Sequence, residues 1–413
     1  MKLETLKGTK DFEPELQKQL QNITQIISKQ FELYGFQPFD TPQVEYYDIL
    51  TYKYDEDAEI VQEIFKLKDR GERDLGLRYD LTTPLMRYVA ANPHLKKPFK
   101  RYQIGKVFRD GPLKKGRMRE FYQCDADTVG IEGQEIEVDM LTLFYEVYKK
   151  LGIDTIIEIN NNKILQGAIL QSGGNQENLS QYILSIDKLK KIGKDKVLEE
   201  ISEKGLDKNI ASNALEILSS KSIEELKNKA TSQVLNEGID ELEELVKYIG
   251  DIPIILNFTL ARGLDIYTGN IWEAYDKSRK VTSSIGAGGR YDSVIGEFAQ
   301  DGNNYPAVGI SFGITPILSC LEKEKEEITT QILIAPLSRE VLEESFKLAK
   351  VYREKNYTTQ IAFQYSLKKI FKYSDSINAK YLILLGEEDI KNQEYTIKNL
   401  KTKEEVKKPL KFN

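Results

Sequence analysis

The stretch Arg101–Gly130, RYQIGKVFRDGPLKKGRMREFYQCDADTVG, decides how this chain is read. Two runs with strand character flank a basic, glycine-containing loop, which predicts a long antiparallel hairpin. Successive side chains on a strand point to opposite faces, so Arg117, Arg119, Phe121, Gln123 and Asp127 share one face if pairing is regular. Arg109 closes the incoming strand at the loop mouth. That face offers guanidinium groups for phosphates, an aromatic ring for a flat base, and an amide and a carboxylate for a small polar ligand. A face built only to pack would not carry this mixture.

Upstream of the hairpin, Leu16, Leu20, Ile23, Ile26, Ile27 and Phe31 recur at helical spacing and predict a helix over 14–34, ending near Gly35. The following FQPFDTPQVE contains Pro38 and Pro42, which limit regular pairing, so it reads as an edge or interface strand. Residues 62–68 and 75–79 read as strands around the charged turn DRGERD. A helix is predicted from Asp80 or Thr82, with Pro84 tolerated in its first turn.

Downstream, a helix is predicted over 134–151. From 164 to 248, lysine, glutamate, leucine and isoleucine dominate at helical spacing, which reads as a helical insertion splitting the sheet domain into 1–163 and 249–325. Strand-like residues return at 252–258, 271–275 and 281–285. After the charged run Glu322–Glu327 the pattern becomes QILIAPL, a helix over 338–355, TTQIAF, a short helix and YLILLG. That βαβαβ alternation predicts a separate α/β domain over 326–413.

Composition excludes several classes. No apolar run in the 413 residues reaches the roughly 20 needed to span a bilayer, and the first residues show no apolar run of the secretory type. Cys124 and Cys320 show no metal spacing, which fits a reducing cytosol, and Cys124 reads as a buried small hydrophobe. His94 is the only histidine, which argues against a histidine-based triad or a histidine-ligated metal. Net charge is −6, yet lysines and arginines cluster at 96–101, 114–119, 188–196 and 398–411. Such patches suit phosphate contact or a plain solvated surface.

Four more segments carry polar groups. RYDLTTP (78–84) places Asp80 and Thr82 at a strand-to-helix junction, as helix cap or as ligand-binding groups. LARGLDIYTG (260–269) puts Arg262 and Tyr267 in a glycine-interrupted strand, and Arg262 suits an ion pair with Asp265 as well as a ligand role. GAGGRYD (286–292) is a glycine cluster without the spacing of a phosphate loop. YPAVGISFGITPIL (305–318) reads as a small-residue strand entering a helix.

In this order the segments resemble the histidyl-tRNA synthetases, a family of class II aminoacyl-tRNA synthetases. KGTKDF and FDTPQVE resemble the family's N-terminal segment and motif 1, and FRDG…GRMREFYQCDAD resembles motif 2. LARGLDIYTG with GGRYD is similar to the two segments peculiar to the histidine enzymes, and LKKIFKYSDSINAKYLILLGEEDI to the class II anticodon-binding domain. The resemblance covers essentially the whole chain. It implies an α+β fold: an antiparallel class II sheet domain flanked by helices, a helical insertion and a C-terminal α/β anticodon-binding domain.

The resemblance further implies activation of histidine with ATP to histidyl-adenylate and pyrophosphate, then transfer to the 3′ end of tRNA(His) with release of AMP. Arg109 and Arg262 would be catalytic, flanking the α-phosphate. ATP would also meet Arg117 at the β- and γ-phosphates and Phe121 at adenine. Asp80, Thr82 and Gln123 would hold the amino-acid ammonium and carboxylate, while Asp127 and Tyr267, with Tyr291, would read the imidazole nitrogens. Ile266 joins the histidine site where many relatives carry tyrosine. Magnesium would arrive with ATP, and no metal site is implied in the protein itself. A cytoplasmic homodimer paired through motif 1, with no membrane contact, is the implied setting.

Three positions depart from the family pattern. Pro316 stands where motif 3 usually supplies an arginine, and Gly111 stands where some relatives carry an acidic residue facing adenine. With Ile266, they sustain a rival reading, a non-catalytic paralogue such as the histidine-sensing regulatory subunit of ATP phosphoribosyltransferase. That reading predicts loss of the anticodon-binding domain and of the arginine at 262.

Overall fold

The computed structural model describes residues 2–52, 54, 58–112, 118–262, 266–321 and 330–411. By internal contacts the chain forms two units, 1–322 and 323–413.

The first unit opens with helix Pro14–Leu33, whose Leu20, Ile23, Ile27 and Phe31 are buried at the predicted spacing. Edge strand β1 (Gln37–Pro38) follows, then β2 (Val44–Tyr46), β3 (Lys66–Lys68) and β4 (Asp74–Leu77), and helix Thr82–Ala90. The hairpin is β5 (Phe99–Phe108) with β6 (Glu120–Val129), paired antiparallel from Phe99↔Val129 to Phe108↔Glu120. After helix Glu135–Lys150 come β7 (Thr155–Asn161), a run of helices to Tyr248, β8 (Ile254–Leu256), β9 (Asn270–Asp276), β10 (Gly286–Arg290) and β11 (Ala307–Gly313).

Among the described residues these strands build an eight-stranded sheet in the order β1-β5-β6-β11-β10-β9-β7-β8, while β2-β4-β3 form a small separate sheet. The large sheet is antiparallel from β5 to β7, with parallel pairs only at its two edges. One face packs Tyr102, Cys124, Ala126, Trp272 and Phe312 against the helices Pro14–Leu33 and Glu135–Lys150. The opposite face carries polar residues, among them Arg101, Gln103, Asp125 and Asp127. The α+β class read from the sequence is the observed one.

Three local readings change. Residues 281–285 are not a strand; the strand is the glycine cluster itself, β10. Tertiary packing is the reason. On the core side, side chains at Gly286 and Gly288 would run into Phe144, Tyr148 and Trp272, and on the other side one at Gly289 would run into the Tyr267 ring. Residues 59–62 form a helical turn, so only the end of the 62–68 segment is strand. Finally, β7 adds a strand next to the sheet edge that periodicity alone does not predict.

Four of the α-helices between 162 and 248 start where the sequence supplies caps. Asn161, Asp207, Ser222 and Ser232 accept backbone N–H groups of Lys163, Asn209, Glu225 and Leu235 at 2.9, 2.8, 3.1 and 3.3 Å. Each such cap contributes about 1 kcal/mol.

In the second unit β12 (Ile332–Pro336), β13 (Thr359–Ile361), β14 (Tyr381–Leu385), β15 (Glu394–Asn399) and β16 (Glu405–Pro409) form one sheet, ordered β13-β12-β14-β15-β16. Its first three strands are parallel and linked through helices Leu342–Glu354 and Leu367–Ser376, the βαβαβ pattern of the sequence. An antiparallel hairpin, β15–β16, extends it. No helix among the described residues is long and apolar enough to cross a membrane.

Candidate active site

Strand register builds the polar face. Arg101, Gln103 and Gly105 on β5 lie opposite Asp127, Asp125 and Gln123 on β6. These in turn lie opposite Gly309, Ser311 and Gly313 on β11, and the row continues through Gly289 and Ala287 to Ile271 and Glu273. Small residues on β10 and β11 thus floor a hollow, with the Gln123–Asp127 column on one side and Glu273 on the other.

At the Asp127 end the charges are buried and paired. Arg101 meets Asp127 at 2.6 Å with both side chains inaccessible, and the Tyr291 hydroxyl donates to the other carboxylate oxygen at 2.5 Å. Burial nevertheless raises the Asp127 and Tyr291 pKa values. Asp80 lies in the turn before helix Thr82–Ala90. Its carboxylate accepts the Thr83 N–H at 3.0 Å and the Thr83 hydroxyl at 3.2 Å, so the capping role is realised there. Thr82 opens that helix and is half-buried. Arg78 is buried over Gly105, donating to the carbonyls of Lys106 and Thr41 at 2.9 and 2.6 Å.

Across the hollow, Arg262 pairs with Glu273 at 3.2 Å, and its guanidinium lies 5.3 Å from the Tyr267 ring centre. Burial works against its charge, but Tyr267 and Glu273 outweigh it, and the arginine pKa is raised. Asp265, the other partner considered, lies outside the described residues. Tyr267 leans on Gly289, and its carbonyl accepts from Asn162 at 2.6 Å. Ile266 is buried beside Leu85, Met86 and Tyr291, supporting the pocket as packing. Arg262 and Tyr267 also border a cavity of about 470 Å³ under the helical segment, with Asn162, Gln166, Gln176 and Ser180 on its other side.

A cleft of about 300 Å³ occupies the loop end of the hairpin, bounded by Arg109, Arg119, Phe121, Glu63, Thr315 and Pro316. Arg109 donates to the Tyr79 carbonyl at 3.1 Å and holds its guanidinium 5.3 Å from the Phe121 ring centre. Arg119 pairs with Asp110 at 3.0 Å. Pro316 is the third residue of helix Ile314–Cys320 and faces the same cleft. Arg117 lies outside the described residues.

The structure therefore brings Gln123, Asp127, Arg262, Tyr267 and Tyr291 around one hollow and Arg109 with Phe121 around the adjoining cleft. A family model described as histidyl-tRNA synthetase matches residues 8–317, and one described as anticodon binding domain matches residues 331–412. The chain belongs to the histidyl-tRNA synthetase family. Among similar proteins, "Histidine--tRNA ligase 1" of Bacillus cereus is 39% identical over 423 aligned positions, covering 99% of this chain and 98% of that one. "Histidine--tRNA ligase 2" of Shouchella clausii is 36% identical with 99% of both chains covered. The crystal structure of histidyl-tRNA synthetase from Nostoc sp. PCC 7120 superposes with a TM-score of 0.80 at 27% identity, covering 99% of this chain and 97% of that one. A Bacillus halodurans structure titled ATP phosphoribosyltransferase regulatory subunit/histidyl-tRNA synthetase shares the fold, with a TM-score of 0.79 at 20% identity. The matched anticodon-binding domain and Arg262 are the two features that the regulatory-subunit reading required to be lost.

Several residues that shape the hollow and the cleft lie outside the sequence-based set. Asp125 and Ser311 face the hollow, Glu273 holds Arg262, and Arg101 holds Asp127. Glu63 brings a buried carboxylate to Gly111, filling the space that a side chain at 111 would need. An acidic group thus reaches this part of the cleft from a different element.

Proposed function

We infer that the chain is an ATP-dependent histidine–tRNA ligase. The observation that carries this is the single polar sheet face, which joins a base-sized cleft beside Phe121 and Arg109 to a hollow bounded by Gln123, Asp127, Tyr267 and Arg262.

Adenine would stack on Phe121, with Arg109 and Arg262 on the α-phosphate and Arg117 toward the triphosphate tail. Histidine would place its imidazole against Asp127, Tyr291 and Tyr267. A neutral imidazole presents one donor and one acceptor, which a carboxylate and phenols can answer. Asp80, Thr82 and Gln123 would serve the ammonium and carboxylate. In the first step a histidine carboxylate oxygen bonds to the α-phosphorus in line with the leaving pyrophosphate. In the second, the 3′-terminal ribose hydroxyl of tRNA(His) attacks the mixed anhydride and AMP leaves. Neither step needs a covalent enzyme intermediate. The work falls to positioning and to two fixed cations at the phosphorus.

Among the described residues no group of three or more histidine, cysteine, aspartate or glutamate side chains is arranged to hold a metal. Magnesium would come with the ATP phosphates, and no step is assigned to it. The second unit would grip the tRNA anticodon. Pairing of two copies through the segment around Pro42 fits the exposed Val44 and Tyr46 beside it, and the cytoplasm is the fitting compartment for such a translation enzyme.

Arg262→Ala tests the assignment. Histidine-dependent ATP–pyrophosphate exchange should fall by about 10³-fold or more while thermal unfolding stays near wild type. Exchange close to wild type would refute the role.

A further inference from the structure

Arg262 is held by Glu273, and Glu273 is itself held. Its Oε1 accepts Arg262 Nη1 at 3.2 Å, while its Oε2 accepts the Tyr275 hydroxyl at 2.5 Å. Tyr275 stands two residues further along β9, on the same face. Directly across the β7–β9 ladder from Glu273 lies a second carboxylate, Glu158. Like charges facing each other across a strand pair repel, so each needs partners of its own. Glu158 finds them elsewhere: its Oε1 accepts Lys190 Nζ at 2.6 Å and its Oε2 accepts Asn257 Nδ2 at 2.8 Å. Each of the four carboxylate oxygens thus has a donor of its own, and Arg262 serves one of them.

Lys190 comes from the helical segment, where it lies in the short helix Leu189–Ile192. Its ammonium also sits 4.3 Å from the centre of the Tyr275 ring. One lysine therefore touches both the phenol that fixes Glu273 and the carboxylate that stands opposite Glu273. Asp187, at the end of helix Leu179–Ile186, adds a negative charge near the Arg262 guanidinium from the same segment. Burial and the two glutamates push the Tyr275 phenol well above its ordinary range, so it remains a hydrogen-bond donor near neutral pH.

We propose that Tyr275 is a positioning residue for the reaction: through Glu273 it fixes Arg262 in the orientation that meets the α-phosphate, and Lys190 braces the arrangement from the helical segment. This rests on the histidine-activating reading above. It gives that segment a part in adenylate formation and turns one lysine of the basic 188–196 cluster inward. Without the Tyr275 hydroxyl, Glu273 Oε2 loses its donor and the carboxylate can turn, taking the guanidinium with it. Without Lys190, Glu158 Oε1 becomes an open acceptor on the strand beside Glu273.

Histidine-dependent ATP–pyrophosphate exchange by the full chain tests this, with kcat and KM read separately. Tyr275→Phe keeps the ring beside Lys190 and removes only the hydroxyl. It should lower kcat roughly 10- to 100-fold, the cost of a misaligned catalytic group, and leave the KM values for histidine and ATP within about twofold. In an Arg262→Ala background the same change should have no further effect on residual exchange, because its route to the phosphate is gone. Lys190→Met should lower kcat by about two- to fivefold, the size of an exposed cation–π contact, while Lys190→Arg keeps both contacts and should match wild type. A wild-type or raised kcat in Tyr275→Phe would overturn the proposal, as would an equal loss with and without Arg262. If Tyr275→Phe fails to fold, equal kcat values in Lys190→Met and Lys190→Arg overturn it instead. Wild-type protein without histidine-dependent exchange would overturn the histidine reading itself.

Discussion

Replacing Gly289 by alanine adds one methyl group at the point where the floor of the hollow meets Tyr267. A Cβ built there lies 2.7 and 2.8 Å from two Tyr267 ring carbons and 2.8 Å from the Asn270 carbonyl oxygen. Non-bonded carbons rest at about 3.5–4.0 Å, so the ring must retreat by about 1 Å, and the β9 backbone must also ease its Asn270 carbonyl away. Tyr267 is half-buried with open space beside it, so the ring moves readily, while the carbonyl contact falls on the strand pairing. Overpacking of this kind costs about 1–3 kcal/mol, here toward the upper end because backbone is involved. A misplacement of about 1 Å in a site can cost up to about 100-fold in rate or affinity. The expected outcome in histidine-dependent ATP–pyrophosphate exchange is a KM for histidine raised roughly 10- to 100-fold. The KM for ATP should hold, because Phe121 and Arg109 lie at the other end of β6. Thermal unfolding separates the two responses, since an opened strand pair would lower Tm sharply. A Gly289→Ala protein with a wild-type KM for histidine would refute the placement of Tyr267 in the histidine site.

Two further substitutions probe the charges around the site. Arg101→Met strands the buried Asp127 carboxylate and should cost about 3–5 kcal/mol in urea unfolding, a loss that Asp127→Asn in the same chain should partly restore. A loss below about 1 kcal/mol would show that the pair is not what holds Asp127. Pro316→Arg places a guanidinium on the cleft wall that Phe121 also borders, and the KM for ATP should fall severalfold, the size of an exposed-to-partly-buried cation–π contact. An unchanged or raised KM would mean that the base does not lie between Phe121 and helix Ile314–Cys320.

The hairpin is legible in the sequence because its residue classes alternate with the strand period and its loop is marked by glycine and basic residues. The same alternation places Asp125 beside Gln123 and Asp127, two residues from each, so parity alone is the signal that identifies it. The partner of Asp125 is not local: the Ser311 hydroxyl that donates to it sits on β11, 186 positions further along the chain. Glycine-rich β10 shows the opposite limit. Its sequence carries no strand preference, and its conformation is dictated by Phe144, Tyr148 and Trp272 on one side and Tyr267 on the other. Glu63 lies 48 positions before Gly111 in the chain, and only the fold shows that its carboxylate fills the space beside that glycine.

The cleft and the hollow on one sheet face make a direct demand. ATP–pyrophosphate exchange should be measured with each amino acid in turn. The account predicts exchange with histidine and background rates with the others, because another side chain would leave Asp127, Tyr291 and Tyr267 without their ring partners. Histidine binding with no exchange under any condition would contradict it, and would leave a histidine-sensing protein built on a synthetase fold.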